Sequence, residues 1–200
     1  MDISNKNSIN IQDAKITVIG FGRSGEGASR LAQHFGASVF ISDGKTDAKM
    51  KSRAQQLEAE GIDVELGGHS DQIYDAELWI ISPGIAQDSP IVIEAKSKHI
   101  PVVSEIEFAS WFTQAPIIGV TGSNGKTTTV NILYEMCKTD RLSPALAGNV
   151  GTAFSDTVLN DVINLPSNRV YVLEISSFQM EQIIHFKPFI SVFLNITPDH

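Results

Sequence analysis

The chain has 200 residues, 42% hydrophobic and 19% charged, which excludes a polar disordered polymer and gives enough length for one large or two modest domains. Its net charge of -8 and pI near 5.0 argue against a nucleic-acid groove or an anionic membrane surface, so an anionic ligand has to be held by local devices. The lone Cys137 cannot form an internal disulfide and reads as a small core residue; Met1 to Asp13 lacks the apolar stretch of a signal peptide, and no apolar run approaches bilayer length, which leaves the cytoplasm as the default location.

Taken in order, Lys15 to Ile19 is a short β-branched run, followed at once by Gly20-Phe-Gly22-Arg23-Ser24-Gly25 and a helix-like stretch from Glu26 to Phe35. This is Gly-x-Gly-x-x-Gly at a strand-to-helix junction, where the backbone can approach a diphosphate and the helix end supplies N–H groups. A second strand, Ser38 to Ser42, ends in Asp43, about twenty residues past the first glycine, where a dinucleotide fold places its ribose acid. Taken alone, this half reads as a nicotinamide-dinucleotide enzyme. A polar helix from Asp47 to Glu60, a strand Val64 to Leu66 and an apolar strand Leu78 to Ile81 follow. The last runs into the turn Ser82-Pro83-Gly84-Ile85, at the carboxyl edge where open α/β sheets hold ligands. A helix Pro90 to Lys98, the run Pro101 to Val103 and a helix Glu105 to Phe112 complete a first unit, residues 1–114, expected to be a Rossmann-like parallel sheet.

The second unit, residues 115–200, opens on the apolar run Pro116 to Ile118 and the loop Gly119-Val-Thr-Gly122-Ser123-Asn124-Gly125-Lys126-Thr127-Thr128-Thr129, with a helix from Val130 to about Lys138. Strand, glycine loop and helix form the P-loop layout of an NTPase-like α/β unit. The loop amides cradle phosphates, Lys126 reaches the outer ones and the Thr127 hydroxyl suits Mg²⁺. Val120 stands where the strict pattern asks for glycine, so the loop is a variant. Asp140 to Pro144 breaks the helix, and Ala145 to Ala147 leads into a second glycine turn, Gly148-Asn149-Val-Gly151, with a helix through Leu159. The buried-type strand Arg169 to Leu173 finishes in Glu174, an acid at a strand tip that fits the carboxylate Mg²⁺ usually needs besides the loop hydroxyl. Ser176 and Gln179 add polar side chains to that rim, and a last strand, Phe189 to Leu194, finishes in Asn195-Ile-Thr-Pro-Asp-His200. His34, His69, His99 and His185 match no motif and read as surface or packing residues, and Trp79 and Trp111 as core.

Thr121-Gly-Ser-Asn-Gly-Lys-Thr127, Gly148-Asn-Val-Gly151, Leu173-Glu-Ile-Ser-Ser-Phe-Gln179 and Asn195-Ile-Thr-Pro-Asp-His200, in that order, resemble the central domain of the Mur ligases, ATP-dependent amino-acid ligases of peptidoglycan synthesis. The fingerprint Gly20 to Gly25 and the Ser82 to Ile85 turn resemble the branch that adds D-glutamate; the alanine-adding branch typically has His where this chain has Asn124. The resemblance reassigns the first glycine loop from a nicotinamide dinucleotide to a UDP-sugar. It implies that Gly22, Arg23, Ser24, Asp43, Ser82, Pro83, Gly84, Asn149, Ser176 and Gln179 bind UDP-N-acetylmuramoyl-L-alanine, and that Gly122 to Thr128 bind ATP. It further implies that Thr127, Glu174 and His200 hold Mg²⁺, that Lys126, Glu174 and His200 are catalytic, and that D-glutamate attacks an acyl phosphate. No nucleic acid or membrane partner is expected, and the chain is expected to be monomeric. It ends just after a strand and is expected to be cut: the family's third domain and its metal-bridging lysine would follow His200, so these residues alone are expected not to ligate. The alternatives are another Mur-type or folate-polyglutamate-type ligase, or a dinucleotide-binding oxidoreductase founded on the first unit.

Overall fold

A computed structural model describes residues 1–139 and 141–197. In the first unit the β-branched run forms β1 (Lys15–Ile19), buried after its first residue. Around it are α1 (Arg23–His34), β2 (Ser38–Asp43), α2 (Ala48–Ala59), β3 (Asp63–Leu66), β4 (Leu78–Ile81), α3 (Pro90–Ser97), β5 (Val102–Ser104) and α4 (Glu105–Ser110). The strands pair in parallel in the order β3-β2-β1-β4-β5. The order reverses between β1 and β4, the position where open α/β sheets hold ligands, and the glycine fingerprint and the Ser82 turn both lie at the carboxyl ends of those two strands. Local chemistry sets the helix ends: Asp47 caps α2 by accepting from Met50 N at 2.7 Å, and Pro90 opens α3, where its missing N–H costs nothing. Gly25 is required by close approach, since a Cβ there would lie 2.0 Å from the Gly20 carbonyl oxygen.

The second unit comprises β6 (Ile117–Thr121), α5 (Lys126–Cys137), β7 (Ser143–Gly148), α6 (Phe154–Asn164), β8 (Arg169–Glu174), the short α7 (Ser177–Met180) and β9 (Ile190–Phe193). Its strands are also parallel, ordered β7-β8-β6-β9, with the P-loop strand β6 between the strand that ends in Glu174 and the strand that leads to Asn195. Several elements differ from the sequence expectation. Both glycine-led helices begin earlier, at Arg23 and Lys126, and β6 runs on to Thr121, which buries Val120 completely inside the strand. Residues 143–148, read as a breaker and lead-in, are strand β7; Pro144 is accommodated because β7 lies at the sheet edge. α7 was not anticipated. Cys137 is half-buried at the end of α5, and Trp111 is half-buried, whereas Trp79 is enclosed and donates to the Ile73 carbonyl at 2.7 Å.

One apolar core runs from β1 and α1 through Phe108 of α4 to Phe154 of α6 and Tyr171 of β8. α1 and α6 meet closely at Gly27, where an added Cβ would lie 2.9 Å from the Asp156 carboxyl. Two buried glutamates of α4 cross the same boundary. Glu107 accepts from the backbone N–H groups of Ile184, His185 and Phe186 at 2.8–3.0 Å and from the Trp111 indole at 2.7 Å. Glu105 accepts from Ser155 N at 2.6 Å and from the Ser155 hydroxyl, while its Oε2 has no partner among the described residues. Burial pushes the Glu105 carboxyl up to about 7, with the neighbouring charge of Asp156 in the same direction and the Ser155 bonds opposing.

Candidate active site

The P-loop begins where β6 ends and closes at Gly125, the N-cap of α5, so Lys126, Thr127 and Thr128 form the first helical turn. Those amides have no acceptor inside the helix, and the helix dipole adds positive potential at the same place. The Lys126 ammonium folds back on the loop, donating to the carbonyls of Gly122 at 2.6 Å and Ser123 at 3.0 Å. The Thr127 hydroxyl donates to Glu174 Oε2 at 2.7 Å. The other Glu174 oxygen accepts from Asn149 Nδ2, also at 2.7 Å. Glu174 is almost wholly enclosed, so the expected strand-tip acid ties the P-loop to the second glycine turn. Gly148 sits at φ 99° with its Cα facing the Glu174 carbonyl; a Cβ there would stand 2.4 Å from that oxygen.

In the first unit, Gly22 is the N-cap of α1, and Arg23 and Ser24 are its first residues. Asp43 accepts from Phe21 N at 2.7 Å and from Lys45 N at 2.8 Å, so it braces the fingerprint loop from the end of β2. Ser82 donates to the Gly20 carbonyl at 3.1 Å, joining the Ser82-Pro83-Gly84 turn to the same loop. Arg23 reaches across to the other unit, its Nη1 donating to the Gly151 carbonyl at 2.6 Å. A continuous series of contacts thus runs from the fingerprint helix through the Gly148–Gly151 turn and Glu174 to the P-loop.

Ser176 and Gln179 form the capping box of α7: Gln179 Oε1 accepts from Ser176 N at 2.9 Å, and Ser176 Oγ accepts from Gln179 N. Gln179 is buried and, with Phe178, faces Ser82 and Pro83 across a narrow cleft between the units. A larger cleft of about 560 Å³ opens beside the P-loop, between Lys126, Ser176, Phe178, Phe193 and Asn195. His200 lies outside the described residues. Among the described residues no cluster of three Asp, Glu, His or Cys side chains stands together. The adjoining Thr127 hydroxyl and Glu174 carboxylate nevertheless fit Mg²⁺, a hard cation that takes a few protein oxygens and completes its shell with water and phosphate. Sequence reasoning assigned no separate role to Asn195, which hydrogen-bonds the loop directly, nor to Glu105; only the position of Asn195 in a motif signalled the first, and nothing signalled the second.

Two parallel α/β units, each with a glycine loop between its first strand and first helix, define the chain as an α/β protein of the P-loop type. The model of the Mur ligase middle domain matches residues 120–200, and that of the MurD N-terminal domain matches residues 15–91. The chain belongs to the Mur ligase family. It is 42% identical over 188 residues to the UDP-N-acetylmuramoylalanine–D-glutamate ligase of Christiangramia forsetii, covering 93% of this chain and 40% of that protein. It is likewise 42% identical over 195 residues to the ligase of the same name from Salinibacter ruber, covering 95% of this chain and 41% of that one. The chain spans about two fifths of the length of these curated relatives. The crystal structure of UDP-N-acetylmuramate-alanine ligase MurC from Thermotoga maritima superposes with a TM-score of 0.56 at 22% identity, over 94% of this chain and 42% of that one, a likeness of fold.

Proposed function

We propose that this chain carries the UDP-precursor and ATP sites of a ligase that joins D-glutamate to UDP-N-acetylmuramoyl-L-alanine in cytoplasmic peptidoglycan precursor synthesis. The observation that carries the reading is the run of contacts Arg23–Gly151, Asn149–Glu174 and Glu174–Thr127, which links two anion-binding turns across one boundary. In this reading residues 1–114 hold the UDP moiety at the switch point, with the amides of Gly22, Arg23 and Ser24 toward the diphosphate and Asp43 and the Ser82-Pro83-Gly84 turn around the nucleoside. Residues 115–200 hold ATP. Lys126 leaves the loop carbonyls for the β- and γ-phosphates, and Gly122 to Thr128 wrap the remainder.

The precursor carboxylate lies near Asn149, Ser176 and Gln179 and attacks the γ-phosphorus of ATP, forming an acyl phosphate as the bond to the β-phosphate breaks and ADP leaves. The D-glutamate amine then displaces phosphate from it. Bringing two anions together is the main obstacle, so the work of the site is positioning and charge neutralisation. Thr127 and Glu174 would hold Mg²⁺, which when bound supplies further positive charge between the phosphates; His200 is assigned there by its motif. Thermal shift tests the reading, because a ligand bound only by the folded state raises its melting temperature. Stabilisation by UDP-N-acetylmuramoyl-L-alanine and by Mg·ADP, with none by NADH, is the expected result. Stabilisation by NADH alone would overturn it in favour of an oxidoreductase.

A further inference from the structure

We propose that Asn195 is the positioning residue of the phosphate loop, clasping Ser123 and Asn124 so that the loop keeps the course on which nucleotide phosphates are received. The inference rests on the nucleotide reading above. The β6–β9 ladder continues past its last strand residue, with Leu194 N donating to the Thr121 carbonyl at 3.0 Å. One residue further, the backbone carbonyl of Asn195 accepts from Ser123 N at 3.1 Å. The Asn195 side chain then pairs with both peptide groups of a single loop residue: Oδ1 accepts from Asn124 N at 2.9 Å, and Nδ2 donates to the Asn124 carbonyl at 3.0 Å. Thr197 N completes the clasp by donating to Ser123 Oγ at 3.0 Å.

The chemistry selects asparagine. A primary amide presents one donor and one acceptor side by side, as a neighbouring strand would, and so extends the sheet into a loop that has no strand beside it. Aspartate at this position loses the donor and puts a negative charge next to the phosphates; alanine loses both bonds.

The clasp fixes the middle of the loop. The amides of Ser123 and Asn124 both hydrogen-bond to Asn195, just ahead of Gly125 and the first turn of α5, whose amides have no acceptor inside the helix. A loop pinned at Ser123 and Asn124 holds its course although Val120, enclosed in β6, stands where the usual pattern has glycine. Because Asn195 also lines the cleft beside the P-loop, it links that loop to the segment entering the cleft after β9.

Calorimetry with Mg·ADP and with UDP-N-acetylmuramoyl-L-alanine on the wild-type protein, Asn195→Ala and Asn195→Asp tests the inference. We expect Asn195→Ala to raise the Mg·ADP Kd about tenfold or more, and Asn195→Asp to raise it further at low salt than at high salt. Both variants should keep the precursor Kd and the ligand-free melting temperature of the wild type, which a merely structural role would not allow. Wild-type affinity for Mg·ADP in both variants would overturn the clasp. Parallel loss of both ligands, or a collapse of ligand-free stability in both variants, would overturn it as well by making Asn195 a general structural residue. No Mg·ADP binding by the wild type would instead sink the nucleotide reading on which the clasp depends.

Discussion

The Lys126 ammonium is held by two loop carbonyls, and its substitution tests whether the two proposed anion sites are separate. Lys126→Ala should raise the Mg·ADP Kd by about tenfold to a hundredfold, a loss of roughly 1.4 to 3 kcal/mol, while precursor affinity stays within twofold. Calorimetry reads both, and equal loss of both would show that the ligands share a site. Glu105 is a different kind of residue, far from charge compensation and enclosed at the boundary. Its folded-state value of about 7 lies above the ordinary 4.5, so the folded protein binds the extra proton. The resulting stabilisation is fully present below about pH 4.5 and is lost as the pH rises through 7. Glu105→Gln should therefore flatten the stability-versus-pH profile between those limits and raise the melting temperature at pH 8; an unchanged profile in a scanning calorimeter would refute it. The placing of Lys126 on the glycine loop and the meeting of Thr127 with Glu174 could be anticipated from the strand, loop and helix order and from an acid at the tip of an apolar strand. Glu105 and Glu107 could not, since an acid on an amphipathic helix ordinarily faces water and only the packing of a second unit hides it.

At the scale of elements, strands β1, β2 and β4 could be read closely from their β-branched runs. Helix starts could not, because Ser24, Gly25 and Thr127 to Thr129 are weak helix formers drawn into α1 and α5 by the turns that precede them. β7 was hidden by Pro144 and by its alanines, which carry little strand propensity and pair only because β8 offers a partner edge. α4, by contrast, does more than its six residues suggest, since Glu107 is the anchor for residues 184–186. Glu107→Ala would strand three backbone donors and an indole N–H, and should cost about 3 kcal/mol or more by urea denaturation. A loss below about 1 kcal/mol would mean that water replaces the carboxylate without penalty. Gly25→Ala should be similarly damaging, because the contact it creates is with backbone and no side-chain rotation relieves it.

Across the whole molecule, the apolar core ignores the line between the two sheets: α1 and α4 come from one unit, α6 from the other, and Phe108 and Phe154 belong to the same cluster. That sharing predicts a single urea transition, with tryptophan fluorescence from the first unit and far-ultraviolet dichroism from both giving the same midpoint. Two separated midpoints would mean that the boundary is only a contact. The partition into two sheets followed from sequence rhythm and motif order. The intimacy of their joining did not, because it depends on Gly27, Glu105 and Ser155 meeting across stretches of chain that no local pattern connects.

This has a practical consequence for anyone dissecting the chain. A gene split at residue 114 would strip the partner from the outward faces of α1 and α4, leaving a greasy wound with two uncovered acids at its centre. Neither half should purify as a well-behaved monomer, whereas co-expression of the two pieces should yield a nicked heterodimer that elutes with the intact chain.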